Sequence, residues 1–100
     1  MKTNIVTQEN FAQAERFGGT VLLDFWAGWC GPCRAMAPVV DELAQARPDV
    51  FVGKVDVDAE SELARQFNIL SIPTFVVLRD GKEVARTAGM RPRAALEALL

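Results

Sequence analysis

Residues Thr20 to Cys33, TVLLDFWAGWCGPC, decide the fold. The first half, Thr20 to Trp26, is a short, nearly continuous apolar run, the pattern of a strand covered on both faces. The second half ends in Cys30-Gly31-Pro32-Cys33. There Gly31-Pro32 opens a helical stretch that runs through Val39, Val40, Leu43 and Ala44 to about Arg47, with Pro38 expected to interrupt it. A buried strand that delivers two cysteines to the start of a helix is an α/β arrangement.

The flanking sequence extends this pattern in both directions. Towards the N-terminus, Thr7 and a polar turn precede Phe11, Ala14 and Phe17, which predicts a capped helix ending near Gly18-Gly19, with a short strand ahead of it near Ile5-Val6. Towards the C-terminus, Val50 to Val57 reads as a second buried strand, and Glu60 to Phe67 as a short helix with Leu63, Ala64 and Phe67 on one face. Thr74 to Leu78 and Val84 to Ala88 flank Asp80-Gly81, a strong hairpin signal. Arg91 to Leu100 predicts a closing helix with Pro92 in its first turn and Leu96, Leu99 and Leu100 facing inward. The early β-α-β units require right-handed parallel crossovers and the hairpin an antiparallel pair, so the sheet is mixed. The expectation is a three-layer α/β fold, one domain spanning residues 1–100.

Composition narrows the chemistry. Half of the 100 residues are hydrophobic and 24% are charged, a globular rather than a disordered balance. The 11 cations are scattered and the net charge is −2, so nucleic acid is not an expected partner. No apolar stretch approaches the roughly 20 residues of a membrane helix, and MKTNIVTQENF lacks the apolar run of a secretory signal; a soluble cytoplasmic protein is expected. The chain has no histidine, which excludes a Ser-His-Asp triad, a Cys-His pair and any imidazole metal ligand. Any nucleophile must work without imidazole.

The only two cysteines, Cys30 and Cys33, supply one. Amide groups at a helix N-terminus carry partial positive charge and favour a thiolate over a thiol. Cys30, at the tip, is expected to be the more exposed sulfur and the attacking thiol, and Cys33, one turn on and on the same face, the resolving one. Pro32 stiffens the pair where its missing N–H costs nothing. Three plainer readings compete. A structural disulfide closing so short a loop contributes only about 2 kcal/mol. A zinc site needs four ligands and two sulfurs supply half, so no metal is expected. Inert thiols have no need of a Gly-Pro spacer. The redox reading outweighs all three.

Asp24 interrupts the apolar strand. Desolvating its carboxylate is costly, so its pKa should rise, and a base placed there could take the proton of Cys33 as that thiol attacks. The plainer reading is an acid partly wet at a strand end or paired with a cation. Lys54, in the neighbouring strand, is the natural partner, although a lone lysine on a strand is more often a solvated edge residue.

With these residues in place, the chain resembles the thioredoxin family over nearly its whole length. VLLDFWAGWCGPCRAMAP (21–38) matches that family's active-site segment, including Asp24, Trp26, Trp29 and Pro38. Lys54 in VGKVDVD falls where the family has a lysine near its buried acid, and Phe67 to Thr74 (FNILSIPT) matches the segment around its cis-proline. Asp80-Gly81 matches the hairpin turn and Gly89 the glycine near the end of the last strand.

The resemblance implies a thioredoxin fold with a five-stranded mixed sheet and four helices, and a cis Ile72-Pro73 bond facing the cysteines. It also implies a client groove lined by Trp29, Ile72, Pro73 and the residues around Gly89, with Gly31, Pro32, Trp29 and Lys54 supporting the site. Without it, Pro73 reads as an ordinary turn and Gly89 as a strand terminator. The implied activity is that of a general electron carrier in cell redox homeostasis and electron transport. Such a carrier reduces protein disulfides through Cys30, Cys33 and Asp24, is monomeric, holds no cofactor beyond its own disulfide, and is recharged by an NADPH-linked thioredoxin reductase. Pro32 stands where oxidants of this superfamily carry a histidine, which favours a reducing poise. Ala88 and Met90 flank Gly89 where the family commonly has small or β-branched residues, which leaves the groove's rim and client preference open. For Trp26, core packing outweighs a catalytic role. The competing class is a thioredoxin-like binding module, or partner subunit, whose thiols are dispensable.

Overall fold

The computed structural model describes residues 3–100, so Met1 and Lys2, the start of the expected 1–100 domain, lie outside the described residues. The elements follow in the order β1 (Thr3–Ile5), α1 (Phe11–Glu15), β2 (Thr20–Trp26), α2 (Gly31–Ala46), β3 (Phe51–Asp56), α3 (Ser61–Gln66), β4 (Thr74–Arg79), β5 (Lys82–Ala88) and α4 (Arg93–Glu97). They build one five-stranded sheet in the order β1-β3-β2-β4-β5. The first three strands are mutually parallel, while β2–β4 and β4–β5 are antiparallel, as the crossovers and the hairpin require.

Strand β2 lies at the centre because its residues can be covered on both sides. Val21, Leu23 and Phe25 point into one core, with Val6, Phe11, Ala14, Val55, Leu63, Val76 and Leu78. Leu22 points into the other, with Met36, Val40 and Leu43 of α2, Val52, Phe75, Val77 and Leu96. By the same alternation Asp24 faces the α2 side, where the register sets it directly beside Lys54 of β3. Gly53, next in β3, is there for fit. A Cβ on it would stand 2.5 Å from Val6 Cγ2 and 3.1 Å from Leu23 Cδ2. The β4–β5 turn has positive φ at both Asp80 (52°) and Gly81 (78°), the geometry whose twist suits a two-residue hairpin.

Three expectations need correction. Helix α2 does not break at Pro38; it runs on to Ala46, because the packing of Met36, Val40, Leu43 and Ala44 outweighs one missing N–H. Helix α1 is not capped by a side chain onto its own amides. Thr7 and Asn10 instead close a turn on each other, with Thr7 N donating to Asn10 Oδ1 at 2.8 Å and Asn10 N to Thr7 Oγ1 at 3.2 Å. The closing helix covers only Arg93–Glu97 and Pro92 is its N-cap, although Leu96, Leu99 and Leu100 do turn inward. Strand β5 is an edge strand with most residues exposed.

Candidate active site

The two cysteines sit where strand β2 hands over to helix α2, and they form a disulfide across Cα atoms 5.2 Å apart. Cys30 is the N-cap residue of α2, with extended backbone, and its Sγ accepts a hydrogen bond from the Cys33 amide at 3.2 Å. A terminal amide that a serine or aspartate would ordinarily cap is therefore aimed at the sulfur, an arrangement that stabilises negative charge there. Gly31 and Pro32 occupy the first two helical positions, where Pro32 withholds no bonded N–H.

Exposure does not separate the sulfurs as the sequence suggested. Cys30 is 5% and Cys33 4% exposed, so both residues are buried, packed with Ala27 and flanked by Trp26, Val57 and Ile72. What distinguishes Cys30 is its outlook. It lines an open cleft of about 530 Å³, together with Trp29, Gly31, Pro32, Val57, Ala64 and Ile69 to Ile72, whereas Cys33 does not. The Ile72 carbonyl stands 3.9 Å from the same sulfur, along a line on which a Cys30 thiol would donate.

The Ile72-Pro73 bond is cis. The Pro73 carbonyl accepts from Gly89 N at 2.8 Å, which seats Gly89 against the proline. Within the chain, backbone conformation rather than crowding calls for glycine here: φ is 87°, and an added Cβ would meet only Arg91, at 3.8 Å. Trp29 is largely exposed beside Cys30, and its Nε1 donates to Asp58 Oδ2 at 2.8 Å.

Asp24 is 1% exposed and carries the interior charge of the molecule. Lys54 Nζ reaches its Oδ2 at 3.6 Å, while Oδ1 is buried and has no hydrogen-bond partner. Burial pushes the carboxyl up to about 6, and the nearby ammonium of Lys54 offsets only part of that rise. Lys54 is no solvated edge residue: β3 lies inside the sheet, and the ammonium stands over the Trp26 ring, 5.3 Å from its centroid. Trp26 thus joins the disulfide to the Asp24–Lys54 pair by packing, with its own Nε1 buried and without a partner.

The structure brings Cys30, Trp29, Gly31, Pro32 and Ile72 to one cleft with Cys33 buried beside Cys30, joins Pro73 to Gly89 by a backbone hydrogen bond, and links the Asp24–Lys54 pair to the disulfide through Trp26. Sequence reasoning missed Asp58, whose only signal is its place in DVDA, and the cleft wall of Val57, Ala64, Ile69 and Leu70. No group of three or more potential metal ligands occurs among the described residues, and no helix there is long and apolar enough to cross a membrane.

Comparison with known proteins agrees with this arrangement. The thioredoxin family model matches residues 2–100. The chain is 48% identical to a thioredoxin of Alicyclobacillus acidocaldarius, over 98% of this chain and 94% of the relative. It is 45% identical to a thioredoxin of Bacillus subtilis, over 94% and 90%. Among solved structures, a mutant thioredoxin from Halobacterium salinarum superposes with a TM-score of 0.91 at 35% identity, over 98% of this chain and 87% of that one.

Proposed function

This chain belongs to the thioredoxin family, and from that footing we propose a division of labour among its site residues. The protein is a thiol-disulfide oxidoreductase that reduces protein disulfides by exchange through Cys30 and Cys33. In the proposed sequence the Cys30 thiolate attacks one sulfur of a client disulfide. A mixed disulfide forms, and the client's other sulfur leaves as a thiolate that takes up a proton. Cys33 then gives its proton to Asp24 and attacks Cys30 Sγ. The second client sulfur leaves, and a Cys30–Cys33 disulfide remains, two electrons having passed to the client.

Each role has a physical basis. The Cys33 amide on Cys30 Sγ favours the thiolate at the residue that opens onto the cleft, which suits Cys30 as attacker. A carboxyl with a pKa of about 6 is mostly ionised at neutral pH, yet is a far better proton acceptor than an ordinary aspartate, which suits Asp24 as base. Trp29, Ile72, Pro73 and Gly89 form the client-binding rim, and Gly31, Pro32 and Lys54 support the geometry and charge of the site. The wider setting belongs to the same proposal: a cytoplasmic monomer in electron transport, without a bound cofactor, reduced by an NADPH-linked thioredoxin reductase.

The observation that carries this reading is the capped sulfur, Cys30 Sγ beneath the Cys33 amide at the mouth of the cleft. Reduction of insulin disulfides with dithiothreitol tests it. The wild type should accelerate the reaction and Cys30→Ser should fall to the dithiothreitol background; equal rates would turn the protein into a binding module with dispensable thiols. Cys33→Ser should retain clients as mixed disulfides on Cys30, and recovery of none would overturn the order of attack.

A further inference from the structure

Among the described residues only two polar or charged side chains are buried, Asp24 and Thr74. The proposed exchange uses Asp24 and gives Thr74 no part. Thr74 is the first residue of β4 and is fixed from both sides, paired with Phe25 of β2 and with Ala88 of β5. From that place its Oγ1 donates to the Ser71 carbonyl at 2.6 Å, reaching back over Ile72 and Pro73. The segment it reaches has little else to hold it. The backbone bonds of the α3 stop end with Ile69 N on the Ala64 carbonyl, and the next along the chain is Gly89 N on the Pro73 carbonyl. Between them, among the described residues, no backbone–backbone hydrogen bond involves Leu70, Ser71 or Ile72.

The clamped segment carries the Ile72 carbonyl, 3.9 Å from Cys30 Sγ. A carbonyl oxygen at that sulfur accepts from the thiol and disfavours the thiolate. It acts against the Cys33 amide, which donates to the same sulfur at 3.2 Å and favours the thiolate. Few other groups face Cys30. No charged side chain lines the cleft or packs around the disulfide, where Ala27, Trp26, Val57 and Ile72 surround the two sulfurs. Charges further out are engaged elsewhere: Asp58 with the Trp29 indole, Arg34 with the Gly28 carbonyl, and Asp24 with Lys54 beyond Trp26.

We propose that Thr74 is a positioning residue, whose hydroxyl, by fixing Ser71 and Ile72, keeps the Ile72 carbonyl on Cys30 and retains part of Cys30 as the thiol against the pull of the helix terminus. A less stable thiolate makes the dithiol less stable relative to the disulfide, so the clamp works towards a reducing poise. The inference rests on the reading of Cys30 as the attacking thiol, and its test is read on that thiol without a client.

The measurement is the pH titration of Cys30 by the ultraviolet absorbance of its thiolate, in a Cys33→Ser background where it is the only thiol. Thr74→Val puts a methyl in place of the hydroxyl, and the thiolate-to-thiol ratio at a given pH should rise about threefold. Thr74→Ser keeps the hydroxyl and should titrate as the threonine protein does. An unchanged or lower ratio in Thr74→Val overturns the inference, and so does an equal rise in Thr74→Ser, which would trace the effect to the threonine methyl. In the wild type the Thr74 hydroxyl proton should be visible by NMR, because a buried, bonded hydroxyl exchanges slowly; exchange too fast to observe overturns the clamp even if Thr74→Val does not fold. A wild type inactive towards insulin overturns the reductase reading instead, and the clamp still stands or falls on the titration.

Discussion

Two carboxylates of this protein each stand beside a cation, and they respond in opposite directions. Asp24 in β2 pairs with Lys54 across two central strands, and its pKa rises to about 6 because burial outweighs the lysine. Glu83 on the edge strand β5 pairs with Arg86 at 2.6 Å, and its pKa falls, because a hydrogen bond to the guanidinium outweighs the little desolvation an exposed strand imposes. Ion pairing is common to both; depth in the sheet decides the sign. The edge pair is a minor stabiliser, as surface pairs are. The central pair costs stability and leaves a carboxyl that titrates close to neutral pH, as the proposed proton acceptor requires.

The strongest way to break the contrast is to remove the central charge. Folded Asp24 binds its proton more tightly than an unfolded aspartate, so it costs nothing below about pH 4, where both forms are protonated. The cost grows as pH rises to the folded value of about 6 and is complete above it, at about 3 kcal/mol. Asp24→Asn should therefore gain about 2–3 kcal/mol in denaturant unfolding at pH 7.5, with the gain shrinking towards zero at pH 4. The same variant should slow reductive turnover at neutral pH, and unchanged turnover would remove Asp24 from the proton transfer.

Removing the cation should sharpen the contrast. Lys54→Met takes away the one partner that lowers the Asp24 pKa, so the carboxyl should titrate higher than in the wild type, read by carbon NMR of the side chain. A midpoint left at about 6 would mean that Lys54 is only a packing neighbour. The smallest effect belongs to the edge. Glu83→Gln should cost about 0.3–0.5 kcal/mol at pH 7, less in high salt, and nothing once pH has fallen through the lowered carboxyl pKa, where the wild-type pair is itself discharged. A loss of several kcal/mol would show that β5 is not the weakly coupled edge its exposure suggests.

The parts legible in the sequence were those written in neighbouring residues. TVLLDFW gave β2 with its observed ends, Asp80-Gly81 gave the hairpin, and the C-x-x-C after a strand gave the redox centre. The cis bond at Pro73 came from the family resemblance alone, since no local pattern shows it. What stayed hidden depends on residues far apart in the chain. The partnership of Asp24 with Lys54 was legible from their places in neighbouring strands, whereas the need for glycine at position 53 depends on Val6 and Leu23 meeting over it. The Trp29–Asp58 bond spans two separate β-to-α connections. Pro38 misled because its local rule is sound, but the core contacts around it outweigh one hydrogen bond.

The double duty of Cys30 Sγ has a consequence for the speed of electron delivery. The sulfur that exchanges electrons is the same atom that caps helix α2; it accepts the Cys33 amide in the disulfide, and a thiolate at that place is the stronger acceptor. The helix terminus therefore keeps its acceptor in both oxidation states. The scaffold has little to reorganise when a client or a reductant arrives, and most of the barrier is left to the sulfur chemistry itself.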